Sequence, residues 1–275
     1  MIDPFDYKEP SCALCGGEDF YYPNPDAPQG RIPVDRIISK LDGFFEKNDL
    51  DGAERHLTYW LSEATSLNDK SGELSVLSEL IGLYRKTGNA EQAGKVVSRG
   101  ITLVEELGLT DTVSGATVFL NAATTMKAFG DPSSALPYYA KAEKVYLNLL
   151  EPDDPRLAGL YNNRALSYAD LKQIDKAEKD YLSALAVLEK RAGNENEIAI
   201  TYVNYAHLAE NDPTKSVFFP IELMKKAWEN LNLPIEHNGN HASVCDKCAP
   251  SFAHFGFKEE AKTLELRAKE IYERN

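Results

Sequence analysis

Tyr161-Asn162-Asn163-Arg164-Ala165-Leu166-Ser167-Tyr168, followed after a short turn by Ala177 and then Tyr181, is the stretch from which the fold is read. The run alternates large and small side chains in the order aromatic, small, aromatic, and the segment after the turn repeats small then aromatic. Ala177 closes Ile174-Asp175-Lys176-Ala177, which aligns with Asp131-Pro132-Ser133-Ser134-Ala135 and Asn89-Ala90-Glu91-Gln92-Ala93. The last residues of these three blocks, Ala93, Ala135 and Ala177, are separated by 42 and 42 residues. Ala261 lies 84 residues further on and Ala53 lies 40 before Ala93. A fixed period of this length is the mark of a repeat architecture.

Outward from each marker alanine the same columns recur. Twelve residues upstream stand Leu41, Ile81, Ala123, Ala165 and Ala249, and three residues later Phe44, Tyr84, Met126, Tyr168 and Phe252. Turn residues follow in Asn48-Asp49, Gly88-Asn89, Gly130-Asp131 and Gly256-Phe257. Seven residues past the markers come Trp60, Gly100, Ala142, Ala184 and Ala268, mostly small. Between turns the apolar residues step by three and four, as in Leu77, Leu80, Ile81 and Tyr84, which is helical spacing. Each period therefore reads as helix, turn, helix.

This pattern resembles the tetratricopeptide repeat (TPR), and its 42-residue spacing with Asn-Asn in the first helix is most similar to the long-helix variant of kinesin light chains. The resemblance covers residues 34–274 and implies an all-α, right-handed superhelical array of about six TPR-like hairpins. The units are expected at about 34–70, 74–109, 116–151, 157–193, 197–232 and 241–274, making 34–275 one α-solenoid. The fifth is irregular. Its marker column falls on Phe219, and Pro213 and Pro220 interrupt it, so a longer turn over Asn211–Lys215 and a second helix from about Val217 to Leu231 are expected. The final helix, about Lys258–Glu273, is charged over much of its surface, as a capping helix should be. Residues 1–33 stand apart. Six prolines with Phe20-Tyr21-Tyr22 between them predict an extended arm.

Arrays of this kind line a concave surface with their first helices. Asn121, Asn163 and, with a one-residue slip, Asn204 fall in one inner column, and Asn162 precedes Asn163. An amide offers both donor and acceptor, so such a ladder suits the backbone of an extended peptide. Tetratricopeptide-like arrays hold peptides in this way, which is what the resemblance implies. Arg85, Lys86 and Lys127 on one side suit an acidic partner or a carboxylate terminus, while His207, Glu210 and Asp170 lie toward the other. The alternative reading is that the asparagines satisfy helix carbonyls or each other. The groove's occupant is expected to be a partner protein, an extended peptide, or the chain's own arm with its aromatics.

The four cysteines form two Cys-x-x-Cys pairs, Cys12/Cys15 and Cys245/Cys248. Cys12-Ala13-Leu14-Cys15-Gly16-Gly17 has the form of a zinc knuckle, and a closed site would draw its other two ligands from Cys245 and Cys248. Cys245 and Cys248, however, fall in core columns of the repeat, where free cysteine packs as a small hydrophobe. His241 shares a helical face with them, and His237 and His254 are further ligand candidates. The favoured expectation is packing without a cofactor. A zinc-stabilised structural protein is the alternative.

Catalytic signatures are missing from the sequence: it has no phosphate-binding glycine loop, Gly-x-Ser-x-Gly turn or His-Glu-x-x-His. With 30 basic against 43 acidic residues the formal charge is −13, and the pI of about 4.9 argues against binding a phosphate backbone. The start, Met1-Ile2-Asp3-Pro4, lacks the charged leader and apolar core of a secretory signal, and no apolar run spans a membrane, so a cytoplasmic protein is expected. The sequence therefore predicts a non-catalytic adaptor or scaffold that binds protein or peptide in its groove, with a peptide-signal sensor as runner-up.

Overall fold

A computed structural model describes residues 28–234 and 236–274. Residues 1–27, with Cys12, Cys15 and the Phe20-Tyr21-Tyr22 run, lie outside the described residues. Within them, all regular structure is helical. The helices are α1 (Val34–Glu46), α2 (Leu50–Ser66), α3 (Lys70–Thr87), α4 (Ala90–Glu106), α5 (Val113–Ala128) and α6 (Pro132–Leu149). They continue as α7 (Pro155–Asp170), α8 (Ile174–Leu188), α9 (Glu195–Glu210), α10 (Phe219–Leu231), α11 (Gly239–His254) and α12 (Lys258–Arg274). Successive pairs pack as hairpins, so the all-α array read from the repeat is the fold.

The helices α3, α5 and α11 start slightly upstream of the positions that apolar periodicity gives, because capping residues open them. Asp69 accepts from Gly72 N at 3.0 Å, Thr112 from Gly115 N at 3.2 Å, and Asn238 from His241 N at 3.1 Å. Each satisfies one of the amides that a helix start leaves without an intrahelical partner. Turns end the helices where the chain needs a left-handed residue: Gly88 has φ 74° and Gly256 φ 88°. Gly115 is required by closeness instead, since a Cβ there would lie 2.1 Å from the Leu109 carbonyl oxygen.

The repeat columns are the core. Ala53, Ala93, Ala135, Ala177 and Ala261 are all buried, and so are Leu41, Ile81, Ala123, Ala165 and Ala249 twelve residues before them. Small side chains at these crossings let helices of one hairpin and the next approach closely enough to interdigitate. In the irregular unit Phe219, standing in the marker column, packs edge-on against Tyr205 with ring centroids 5.6 Å apart.

Polar groups tie the layers where the core would otherwise leave them stranded. Arg164 of α7 forms two bidentate pairs, with Glu143 of α6 at 2.6 and 3.0 Å and with Asp180 of α8 at 2.7 and 2.9 Å. Arg99 of α4 grips Glu73 of α3 in the same way, at 2.7 and 3.0 Å. Asp69 does double service. Besides capping α3, its second oxygen accepts from Ile32 N at 3.0 Å and pins the segment leading into α1. Asp69→Ala removes the cap and strands a buried amide, so stability falls by roughly 2–4 kcal/mol. Urea denaturation measures this, and Asp69→Asn, which keeps one acceptor, should fall between the two. Equal midpoints for all three proteins would contradict the account.

The first helices of the hairpins pack in order, α1 on α3, α3 on α5, α5 on α7, α7 on α9 and α9 on α11, and α11 then meets α1. The circuit is closed. Gly239 makes this contact feasible: a Cβ at that position would lie 3.1 Å from the Glu46 Cα, so the start of α11 rests on the end of α1 backbone to backbone. The groove expected from sequence is therefore an encircled inner face. No described helix is long and apolar enough to cross a membrane.

Candidate binding face

The closed circuit turns one face of α1, α3, α5, α7, α9 and α11 toward a common interior. A cleft of about 430 Å³ marks the seam, lined by Asp42, Phe45, Glu46, Lys86, Asn238 and Gly239 among others. Lys86 lies 5.7 Å from the centroid of the Phe45 ring and within range of the Asp246 charge. On the same face Glu79 is held above the usual carboxylate range by burial and by the charge of Asp42.

The asparagine ladder divides. Asn163 Nδ2 donates to the Gly159 carbonyl one turn back at 2.8 Å, and Asn204 Nδ2 donates to Asn162 Oδ1 of the preceding unit at 3.2 Å. Both amides keep a second N–H, and Asn163 keeps its oxygen. The Asn121 side chain makes no hydrogen bond among the described residues. Thus the ladder is partly engaged with itself and partly open.

Among the cations, Lys127 is paired with Asp170 at 3.4 Å. Arg85 differs. Its guanidinium is largely buried, its Nη1 has no hydrogen-bond partner, and burial lowers its pKa. No carboxylate among the described residues pairs with it. Across the interior Lys247 of α11 still reaches solvent, yet the surrounding helices take it partly out of water and lower its pKa. The charges of Lys86 and Arg85 depress it further, against a smaller opposing pull from Cys248 and Glu197. Three cations thus crowd one part of the inner face. Lys247 escaped the sequence reading, although it stands 84 residues past Asn163 and so in the same column.

Cys245 and Cys248 are buried free thiols, and burial pushes their pKa values up to about 11 and about 12. His241 is also buried. Its Nδ1 lies 2.8 Å from Asn196 Oδ1, its Nε2 lies 3.5 Å from Cys245 Sγ, and burial lowers its pKa to about 4. The His237 ring stacks on it at 4.7 Å. Cys245, Cys248, His241 and His237 do not gather as a metal cluster among the described residues, whereas His207, Glu210 and His254 do.

The architecture recurs in solved structures. BtubC (BKLC) from P. vanneervenii superposes with a TM-score of 0.51 at 18% identity, over 88% of this chain and 91% of that one. A Podosopora anserina protein with nearly identical TPR-like repeats gives a TM-score of 0.46 at 15% identity, over 72% of this chain and 94% of that one. A single-substitution form of it gives 0.47 at 15% identity, over 72% and 93%. At such identities the likeness is one of fold. No protein-family model matches the chain, and no curated protein matches it. The array is tetratricopeptide-like in architecture.

Proposed function

We propose that the encircled inner face holds an extended acidic segment of a partner protein, and that the chain acts as a non-catalytic adaptor or scaffold. One observation carries this reading: the largely buried Arg85 guanidinium has an unbonded Nη1 and no carboxylate partner among the described residues, and it is crowded by Lys86 and Lys247. Buried charges are ordinarily paired, because desolvation without a counter-charge is costly. A carboxylate from outside would supply the missing partner and relieve the mutual repulsion. Asn121 and the remaining amide groups of Asn163 and Asn204 offer donors and acceptors for the backbone of the same segment.

The net charge of −13 sharpens the argument. An acidic exterior repels an acidic partner, so attraction is confined to the inner cations, and placement of charge sets specificity. A short peptide signal would be the smallest form of the same occupant. The chain's own arm is the second reading, favoured by its composition: residues 1–27 hold Asp3, Asp6, Glu9, Glu18, Asp19 and Asp26 against Lys8 alone.

Fluorescence anisotropy with a labelled Glu-rich peptide, and with its Gln-for-Glu counterpart as control, tests the proposal. Arg85→Met and Lys247→Met should each weaken binding of the acidic probe about tenfold or more while leaving the neutral one unchanged. A chain lacking residues 1–27 should bind more tightly if the arm is the resident occupant. Equal affinity for both probes, unaffected by Arg85→Met, would refute the acidic-segment reading.

A further inference from the structure

Where α9 and α11 end side by side, two imidazoles and a carboxylate converge. His207 and Glu210 lie one turn apart on α9, and His254 stands at the end of α11. His254 Nε2 is 2.9 and 3.0 Å from the two carboxylate oxygens of Glu210. The rings of His207 and His254 are 5.4 Å apart between centroids. One ligand atom from each of the three residues lies within 4.8 Å of the others.

We infer that His207, Glu210 and His254 bind a divalent transition metal ion of the zinc class, bridging α9 to α11. Two neutral imidazoles and one carboxylate form a recognised donor set for such an ion, with bonds of about 2.0–2.2 Å and a fourth position left to water or an incoming donor. Bonds of that length place tetrahedral ligand atoms about 3.4 Å apart, so modest side-chain rotations from the present geometry close the site. The surroundings are already in place. Ser251 Oγ lies 2.8 Å from His207 Nε2, so with Nδ1 given to the ion the ring would be held by an outer-shell partner. Phe255 packs against both imidazoles, with centroids 5.0 Å from His207 and 4.8 Å from His254, and walls one side with an apolar ring. Such an ion would lock the fifth hairpin to the sixth, next to the irregular turn that follows α9. Its three ligands do not include Cys245 or Cys248.

Isothermal titration of untagged protein with ZnCl2, in a Cys12→Ser/Cys15→Ser background that removes the knuckle-like thiols and leaves Cys245 and Cys248, tests the site. One equivalent of Zn²⁺ should bind. His254→Ala, at an exposed position that should not disturb folding, and His207→Ala should each weaken binding at least about tenfold. The melting temperature should rise with Zn²⁺ in the parent and not in His254→Ala. Absence of binding, equal affinity in His254→Ala, or zinc uptake that vanishes only with Cys245→Ser would overturn the proposal.

Discussion

Arg164→Ala should lower the unfolding free energy by about 3–5 kcal/mol, the loss expected when one member of a buried ion network is removed. Arg164 holds Glu143 and Asp180 at once, joining α6, α7 and α8. Its side chain is 12% exposed and that of Asp180 only 7%, while Glu143 keeps 27%. Water can therefore reach Glu143 once the arginine is gone, and the stranded charge is Asp180. That asymmetry makes a sharper test. If the cost lies in an unpaired buried carboxylate, Arg164→Met/Asp180→Leu should lose less than Arg164→Met alone, because apolar side chains of similar volume carry no desolvation penalty. Urea denaturation followed by circular dichroism gives all three values. A single-variant loss below about 1 kcal/mol, the scale of an exposed pair, would show the network to be ornamental.

Phe252→Ala is expected to cost a similar about 3–5 kcal/mol, but in a different place. Phe252 is fully buried, with its ring 5.8 Å from Trp228 and 5.9 Å from Phe257, so truncation leaves a cavity inside the last hairpin. In a repeat array each unit is stabilised by its neighbours alone. The damage should stay local, and α11 and α12 should open first. Because α11 also rests on α1, amides of α1 should lose protection with them, while α5 to α8 keep theirs. Hydrogen exchange resolved by segment makes the comparison. Uniform loss of protection through all helices would mean that the array unfolds as one unit.

The repeat was legible because a close helix crossing admits few side chains, and Ala93, Ala135 and Ala177 record that limit every 42 residues. Helix starts were less legible, since apolar spacing is blind to Asp69 or Thr112, whose contribution is one side-chain oxygen. The closed circuit was not legible at all. It accumulates from the angles of successive packings, and Gly239 alone hints at it. Within the candidate face, the period placed Arg85 and the asparagines inside, but an amide's choice of partner is settled by local geometry, as the Asn163 bond to Gly159 shows. The irregular fifth unit shifted the register between α9 and α11, which hid the approach of His254 to Glu210 although the sequence contained both.

If a segment binds the inner face as proposed, closure of α1 on α11 also sets the timing of its exchange. A segment lodged there has no lateral exit. It enters or leaves by sliding lengthwise past the rim, or when the small Gly239–Glu46 contact parts. Association slowed by such an opening falls below the usual range for open surfaces, and departure is slowed by the same barrier. Residence would then reflect how often the seam breathes as much as how strongly Arg85 and its neighbours hold their guest.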